Sequence, residues 1–167
     1  MMLTWVHDVN ARAQHRHRPP LCVQRRPVRL GIDSARQPAD HGHAGAGETI
    51  LLRDGWLTEG TASSVFIVNG GVILTPPESH LMLPGITYEV VLELVGRQDM
   101  PHEVRPVSEA ELRAADEIWI TSSTKEVMAV TRLDGHAVGD GGPGPVYRRV
   151  LAAYQDYKRT VMRAGKA

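Results

Sequence analysis

The sequence predicts a mixed α+β (α/β) domain over residues 46–167, preceded by a segment of different character over residues 1–45. Three observations predict it. Short apolar runs separated by Asp-Gly or Gly-Gly pairs read as strands joined by tight hairpin turns. Two longer segments repeat apolar residues every three to four positions, the period of a helix packed along one side. Strand-like and helix-like segments also alternate along the chain without any internal repeat.

Taken in order, ETILLRDGWLTEG from Glu48 reads as a strand, a turn at Asp54-Gly55 and a short return strand. SVFIVNGGVILTPP repeats the idea, with apolar residues 65–68, a turn at Asn69-Gly70-Gly71 and a strand over 72–75. Pro76 and Pro77 stop it, because proline cannot donate to a ladder. LPGITYEVVLELVGRQ opens a helix after Gly85, apolar at 90, 91, 94 and 95 and with a glycine near its end. HEVRPV is a short strand, and SEAELRAA starts with a capping box, Ser108 with Glu111 three residues on. EIWITSS is a strand running into hydroxyl residues, and EVMAVTRLDGHAV a hairpin around Asp134-Gly135. The closing segment GPVYRRVLAAYQDYKRTVMRA is an amphipathic helix with its apolar or aromatic positions at 146, 147, 150, 151, 154 and 161.

The front of the chain differs. From Ala11 to Arg36 there are seven arginines, two histidines and one acid, Asp33, with prolines at 19, 20, 27 and 38 nearby. No apolar period is sustained, so residues 1–45 are expected to be poorly structured, for want of apolar surface to offset the ordering entropy.

Composition narrows the function. Nineteen basic and nineteen acidic residues leave no net field to recruit nucleic acid or an anionic membrane. A lone Cys22 excludes an intrachain disulfide and favours a reducing, cytoplasmic setting. No apolar run reaches the length of a bilayer span, and the amino terminus shows no signal-peptide core. The arginine-rich front permits a polyanion-binding arm, but it carries no recognisable nucleic-acid module. His15, His17, Cys22, His41 and His43 match no zinc spacing, so no metal is expected.

Three hydroxyl-rich stretches end regular elements: TEGTASS at 58–64, LPGIT at 83–87 and TSST at 121–124. The second stands at a predicted helix start, where free N–H groups and the helix dipole suit a phosphate. Each alone has an ordinary explanation as a cap or a solvated turn. Together, in this order and followed by KE and RLDGHAVGDGGPGPVYRRV, they resemble the carboxy-terminal half of the class IV aminotransferases, over about residues 46–160. Within that class the pattern is most similar to the D-amino-acid transaminases.

The resemblance implies a pyridoxal 5′-phosphate enzyme whose strands form a pseudo-barrel with flanking helices. It implies transfer of an amino group between an amino acid and a 2-oxo acid, in a homodimer. Glu59 matches the glutamate that keeps the cofactor's ring nitrogen protonated, a role a nearby carboxylate can fill. Ile86 and Thr87 match the phosphate-binding segment, Ser122 and Ser123 the hydroxyl loop, and Leu83 the apolar support of the ring. An aminodeoxychorismate lyase-like reaction is the alternative within the class, since it uses the same ring and phosphate contacts.

The chain also departs from the pattern. Ser64 stands where the family usually has asparagine, and Tyr88-Glu89 where arginine-aspartate follows GIT. The larger departure is the lysine that forms a Schiff base with the cofactor, roughly thirty residues before the glutamate in the family. No lysine precedes Lys125 here, and Lys125, Lys158 and Lys166 lie in other motifs. Nor can Arg12 or Arg29 be assigned as the family's phosphate-clamping arginine. The chain joins the family pattern near Gly45, so residues 1–45 are expected to lie outside it, and the whole to be a truncated or frame-shifted relative, catalytically inactive, that retains the non-covalent half of the cofactor site.

Overall fold

The computed structural model describes residues 28–34, 48–79, 82–83 and 85–162. Nine strands form one sheet: β1 (Val28–Ser34), β2 (Glu48–Arg53), β3 (Trp56–Gly60), β4 (Ser64–Asn69), β5 (Val72–Thr75), β6 (His102–Val104), β7 (Glu117–Ser122), β8 (Glu126–Leu133) and β9 (His136–Ala137). Three helices accompany it, α1 (Ile86–Arg97), α2 (Glu109–Arg113) and α3 (Pro145–Tyr157), and α3 continues into a π-helical turn over Lys158–Met162. The strand order is β3-β2-β1-β8-β7-β4-β5-β6, with β9 on β8. Every pair is antiparallel except β5 with β6, which α1 connects as a crossover.

The hairpins follow from turn chemistry. Asp54-Gly55, Gly70-Gly71 and Asp134-Gly135 all adopt positive φ, the conformation a tight primed turn requires. Strand alternation then sends side chains to two cores. Val65, Ile67, Ile118, Ile120, Met128 and Val130 meet Ile50 and Leu52 of β2 on one face. Phe66, Val68, Trp119, Val127 and Ala129 meet α1 and α3 on the other, through Tyr88, Val91, Tyr147 and Val150. Strands β4, β7 and β8 are therefore apolar on both sides, which explains their unbroken runs in the sequence. Trp119 and Phe66 are fully buried and stacked, ring centres 5.9 Å apart. Burying each such side chain contributes about 2 kcal/mol or more.

The first core is closed by α2 and by the sheet's own curl, which brings β3 against β4. The result is an incomplete barrel with two helices outside, as expected. The capping box at Ser108 forms reciprocally with Glu111 and starts α2. Helix α3 is started differently. Both oxygens of the buried Glu117 accept its first amides, Val146 at 2.9 Å and Tyr147 at 2.7 Å.

One element departs from expectation. The composition of the front segment predicts poor structure, yet Val28–Ser34 is a strand inserted between β2 and β8. The signal is local and brief: Val28, Leu30 and Ile32 alternate with Arg29, Gly31 and Asp33 over a single strand's length. Flanking arginines and prolines mask it in any longer window. Its stability comes from two neighbouring ladders, a tertiary source that composition does not report.

Candidate functional site

Antiparallel pairing brings Glu48, Gly60, Ser64, Ser122 and Glu126 to one end of the sheet, and the start of α1 packs over that end. A cleft of about 570 Å³ opens there, lined by residues 59–64, by Leu83 and 85–87, and by 121–124. All six residues expected to form a site, Glu59, Leu83, Ile86, Thr87, Ser122 and Ser123, line it. They come from three segments far apart in the chain.

Glu59 lies near the end of β3 opposite Leu51, next to a bulge in the β2–β3 ladder. Its Oε2 accepts the Leu83 amide at 3.0 Å, so the segment leading into α1 is tied to the carboxylate. Gly60 is glycine for lack of room. A Cβ there would clash with Ser63 Oγ and lie 2.8 Å from Glu48 Oε1, closer than real Cβ contacts come, with the Ser63 carbonyl oxygen tight at 3.1 Å. The EG pair thus has a steric basis as well as a chemical one.

Helix α1 begins at Gly85 in extended conformation, and no side chain caps it. The amides of its first turn and the positive end of its dipole face the cleft, a ready site for an anion. Thr87 is buried at the cleft wall, while Leu83 and Ile86 are 81 % and 76 % exposed, two large apolar side chains at its mouth. The hydroxyl turn is partly self-satisfied, with Ser122 Oγ accepting the Lys125 amide at 3.1 Å. Thr121, opposite Ser64 across the β4–β7 pair, has a buried hydroxyl without a partner among the described residues. That places one more unused donor in the cleft wall.

Reading the sequence missed Glu48. Its carboxylate accepts the Ala62 amide at 3.0 Å and the Ser63 hydroxyl at 2.5 Å, and it is ion-paired to the Lys125 ammonium. Burial works against its charge, but Lys125, Ser63 and Ala62 outweigh it and hold the carboxyl below the usual range. No local pattern could have found it, since its partners lie 14, 15 and 77 residues away. Lys158 is likewise engaged, with Glu126. Lys166, Arg12 and the histidines and cysteine considered for a metal lie outside the described residues. Among the described residues no cluster of acids, histidines and cysteines could hold a metal ion, and no helix is long and apolar enough to cross a membrane.

The sheet of this topology thus presents a hydroxyl-lined cleft against a helix start. Residues 12–133 fit the model of amino-transferase class IV, and the chain belongs to that family. The D-alanine aminotransferase of Bacillus licheniformis is 45 % identical over 113 residues, 68 % of this chain and 40 % of that protein. Branched-chain-amino-acid aminotransferase-like protein 1 of Arabidopsis thaliana is 39 % identical over 111 residues, 66 % of this chain and 20 % of that one. Among solved structures, the Escherichia coli branched-chain amino acid aminotransferase superposes with a TM-score of 0.64 at 33 % identity, over 66 % of this chain and 38 % of that chain. A second branched-chain amino acid aminotransferase, from T.th. and determined with pyridoxamine 5′-phosphate, gives 0.66 at 30 % identity, over 72 % and 41 %. The chain therefore spans about 40 % or less of these relatives. The family match begins at residue 12, well before the patterned region that the sequence reading assigned to it.

Proposed function

We propose that this chain holds pyridoxal 5′-phosphate non-covalently in the cleft and does not itself transaminate. The observation that carries this is the convergence of Glu59, Leu83, Ile86, Thr87, Ser122 and Ser123 on one cavity. When bound, the cofactor supplies an electron sink for amino-group transfer between an amino acid and a 2-oxo acid. The donor set fits that group: an uncapped helix start and hydroxyls for the phosphate, a carboxylate for a protonated ring nitrogen. Glu59 would hold the proton on that nitrogen. The first-turn amides of α1, with the hydroxyls of Thr87 and Ser123, would hold the phosphate, and Leu83 would lie against the ring.

What is missing is an amine for covalent attachment and proton transfer. No lysine precedes Lys125 in the sequence, and Lys125 is taken up by Glu48. The 45 % identity to a D-alanine aminotransferase favours D-amino acids as the substrates of the lineage. Exposed Leu83 and Ile86 favour burial of this face against a second copy, as a homodimer.

Titrating the full chain with pyridoxal 5′-phosphate tests the reading. Saturable binding is expected, with inorganic phosphate as competitor. Borohydride should fix no cofactor to the protein, and D-alanine with a 2-oxo acid should give no turnover. Absence of binding would overturn the assignment of the cleft, and a trapped adduct on Lys125 would overturn the claim of inactivity.

A further inference from the structure

Two of the three segments that line the cleft are loops at strand ends: the segment after Gly60 and the turn between Ser122 and Glu126. Each is short and rich in small hydroxyl residues, a composition that does little to fix conformation. One side chain bonds to both. Glu48 Oε1 accepts Ala62 N–H and Ser63 O–H from the first loop, while Oε2 takes the Lys125 ammonium from the second.

We propose that Glu48 is the positioning residue of the cleft, locking its two hydroxyl loops into one unit, and that Lys125 serves as its counter-ion and not as an amine nucleophile.

The location of the charge supports a specific task. Glu48 occupies the first inward position of β2, and the next two, Ile50 and Leu52, are core apolar residues. Its side chain is 2 % exposed and that of Lys125 is 26 % exposed. An apolar residue at such a place commonly stabilises a fold at least as well as an ion pair, because desolvation offsets the Coulombic gain. What an apolar residue cannot do is accept three directional bonds from two loops far apart in the chain. The neighbouring backbone is shaped to the carboxylate as well. Gly60 leaves the space that Glu48 and Ser63 fill, and Ser122 turns the chain so that Lys125 follows directly. Lys125 is thereby held by Glu48 in an ion pair, its side-chain nitrogen directed at the carboxylate.

The consequence for ligand binding rests on the functional reading above, but the coupling of the loops does not. Amide hydrogen exchange on the full chain separates the two. In Lys125→Met the amides of residues 61–64 should exchange about tenfold faster or more, because removing one partner of a buried pair strongly weakens what the other holds. Peptides over the far hairpin, 133–137, should not change. Lys125→Arg should restore protection, since it restores the charge. If Lys125→Met does not fold, Glu48→Gln keeps the shape and removes the charge, and should loosen both 61–64 and 122–125. Unchanged exchange at 61–64, or an equal rise at both ends of the sheet, would overturn the proposal. Pyridoxal 5′-phosphate titrated into the same proteins should bind about tenfold more weakly to Lys125→Met and normally to Lys125→Arg. If wild type binds none, the functional reading fails while the exchange data still decide the coupling.

Discussion

The two ends of the sheet are built on different principles. At one end lie the turns at 54–55, 70–71 and 134–135, each closed by a residue pair with φ between 51° and 83°. Apart from the adjoining residues, no heavy atom lies within 4 Å of where a Cβ would stand on Gly55, Gly70, Gly71 or Gly135. These glycines serve the backbone alone. At the other end, Gly60 is hemmed in by Glu48 and Ser63, and Gly85 opens an uncapped helix over the cleft. There the small residues serve neighbours distant in sequence. Local chemistry sets the turn end, and long-range chemistry sets the cleft end, which is also the end with unsatisfied hydrogen-bonding capacity.

Substitution at Gly60 should break this contrast most sharply. Gly60→Ala forces a methyl group against Glu48 and Ser63, and is expected to cost about 2 kcal/mol by overpacking while loosening residues 61–64. Chemical denaturation together with amide exchange would check it. Gly135→Ala, at φ 78° and with open space around it, should cost about 1 kcal/mol from backbone strain alone, with no effect on the cleft. Comparable losses of cofactor binding in the two variants would refute the division of the sheet.

A smaller effect comes from acid. At the edge of α2, near the turn end, hydrogen bonds from Arg105 and then from the Ser108 amide and hydroxyl bring Glu111 from 4.5 to about 2. Glu48, at the cleft end, also lies below its ordinary value of 4.5. A carboxyl depressed in the folded state contributes stability above its unfolded pKa and loses it as pH falls through the folded one. Stability should therefore decline as pH drops from about 4.5 toward 2, with Glu111 adding less than about 1 kcal/mol because its pair is partly exposed to solvent. Denaturation midpoints of Glu111→Gln and wild type across that range should converge at the acid end.

Most of the fold was legible because its signals are short-range. Asp54-Gly55 and Asp134-Gly135 name their turns, Ser108 and Glu111 name a helix start, and short apolar runs between turns name the strands. β1 escaped because its alternation spans only one strand's length amid arginine and proline, and its ladders come from β2 and β8. Motif order named six residues for a site, and the fold brings all six to one cleft, where Leu83 and Ile86 are far more exposed than ligand-supporting side chains in a closed site would be. Glu48 was not legible at all. A single glutamate opening a strand looks like an ordinary solvated end until its partners are known.

By itself, then, the sequence determined the hairpin turns, the capping box that starts α2, the short apolar runs of the strands and the absence of any lysine before residue 125. Each structural feature among these depends on residues within a few positions of one another, where steric and hydrogen-bonding preferences act without the rest of the chain. Only the tertiary structure decided that three hydroxyl stretches share one cleft, that β1 completes the sheet, and that Lys125 pairs with Glu48. Those are contacts between distant segments, and a buried charge acquires its meaning only when the fold brings its partner to it.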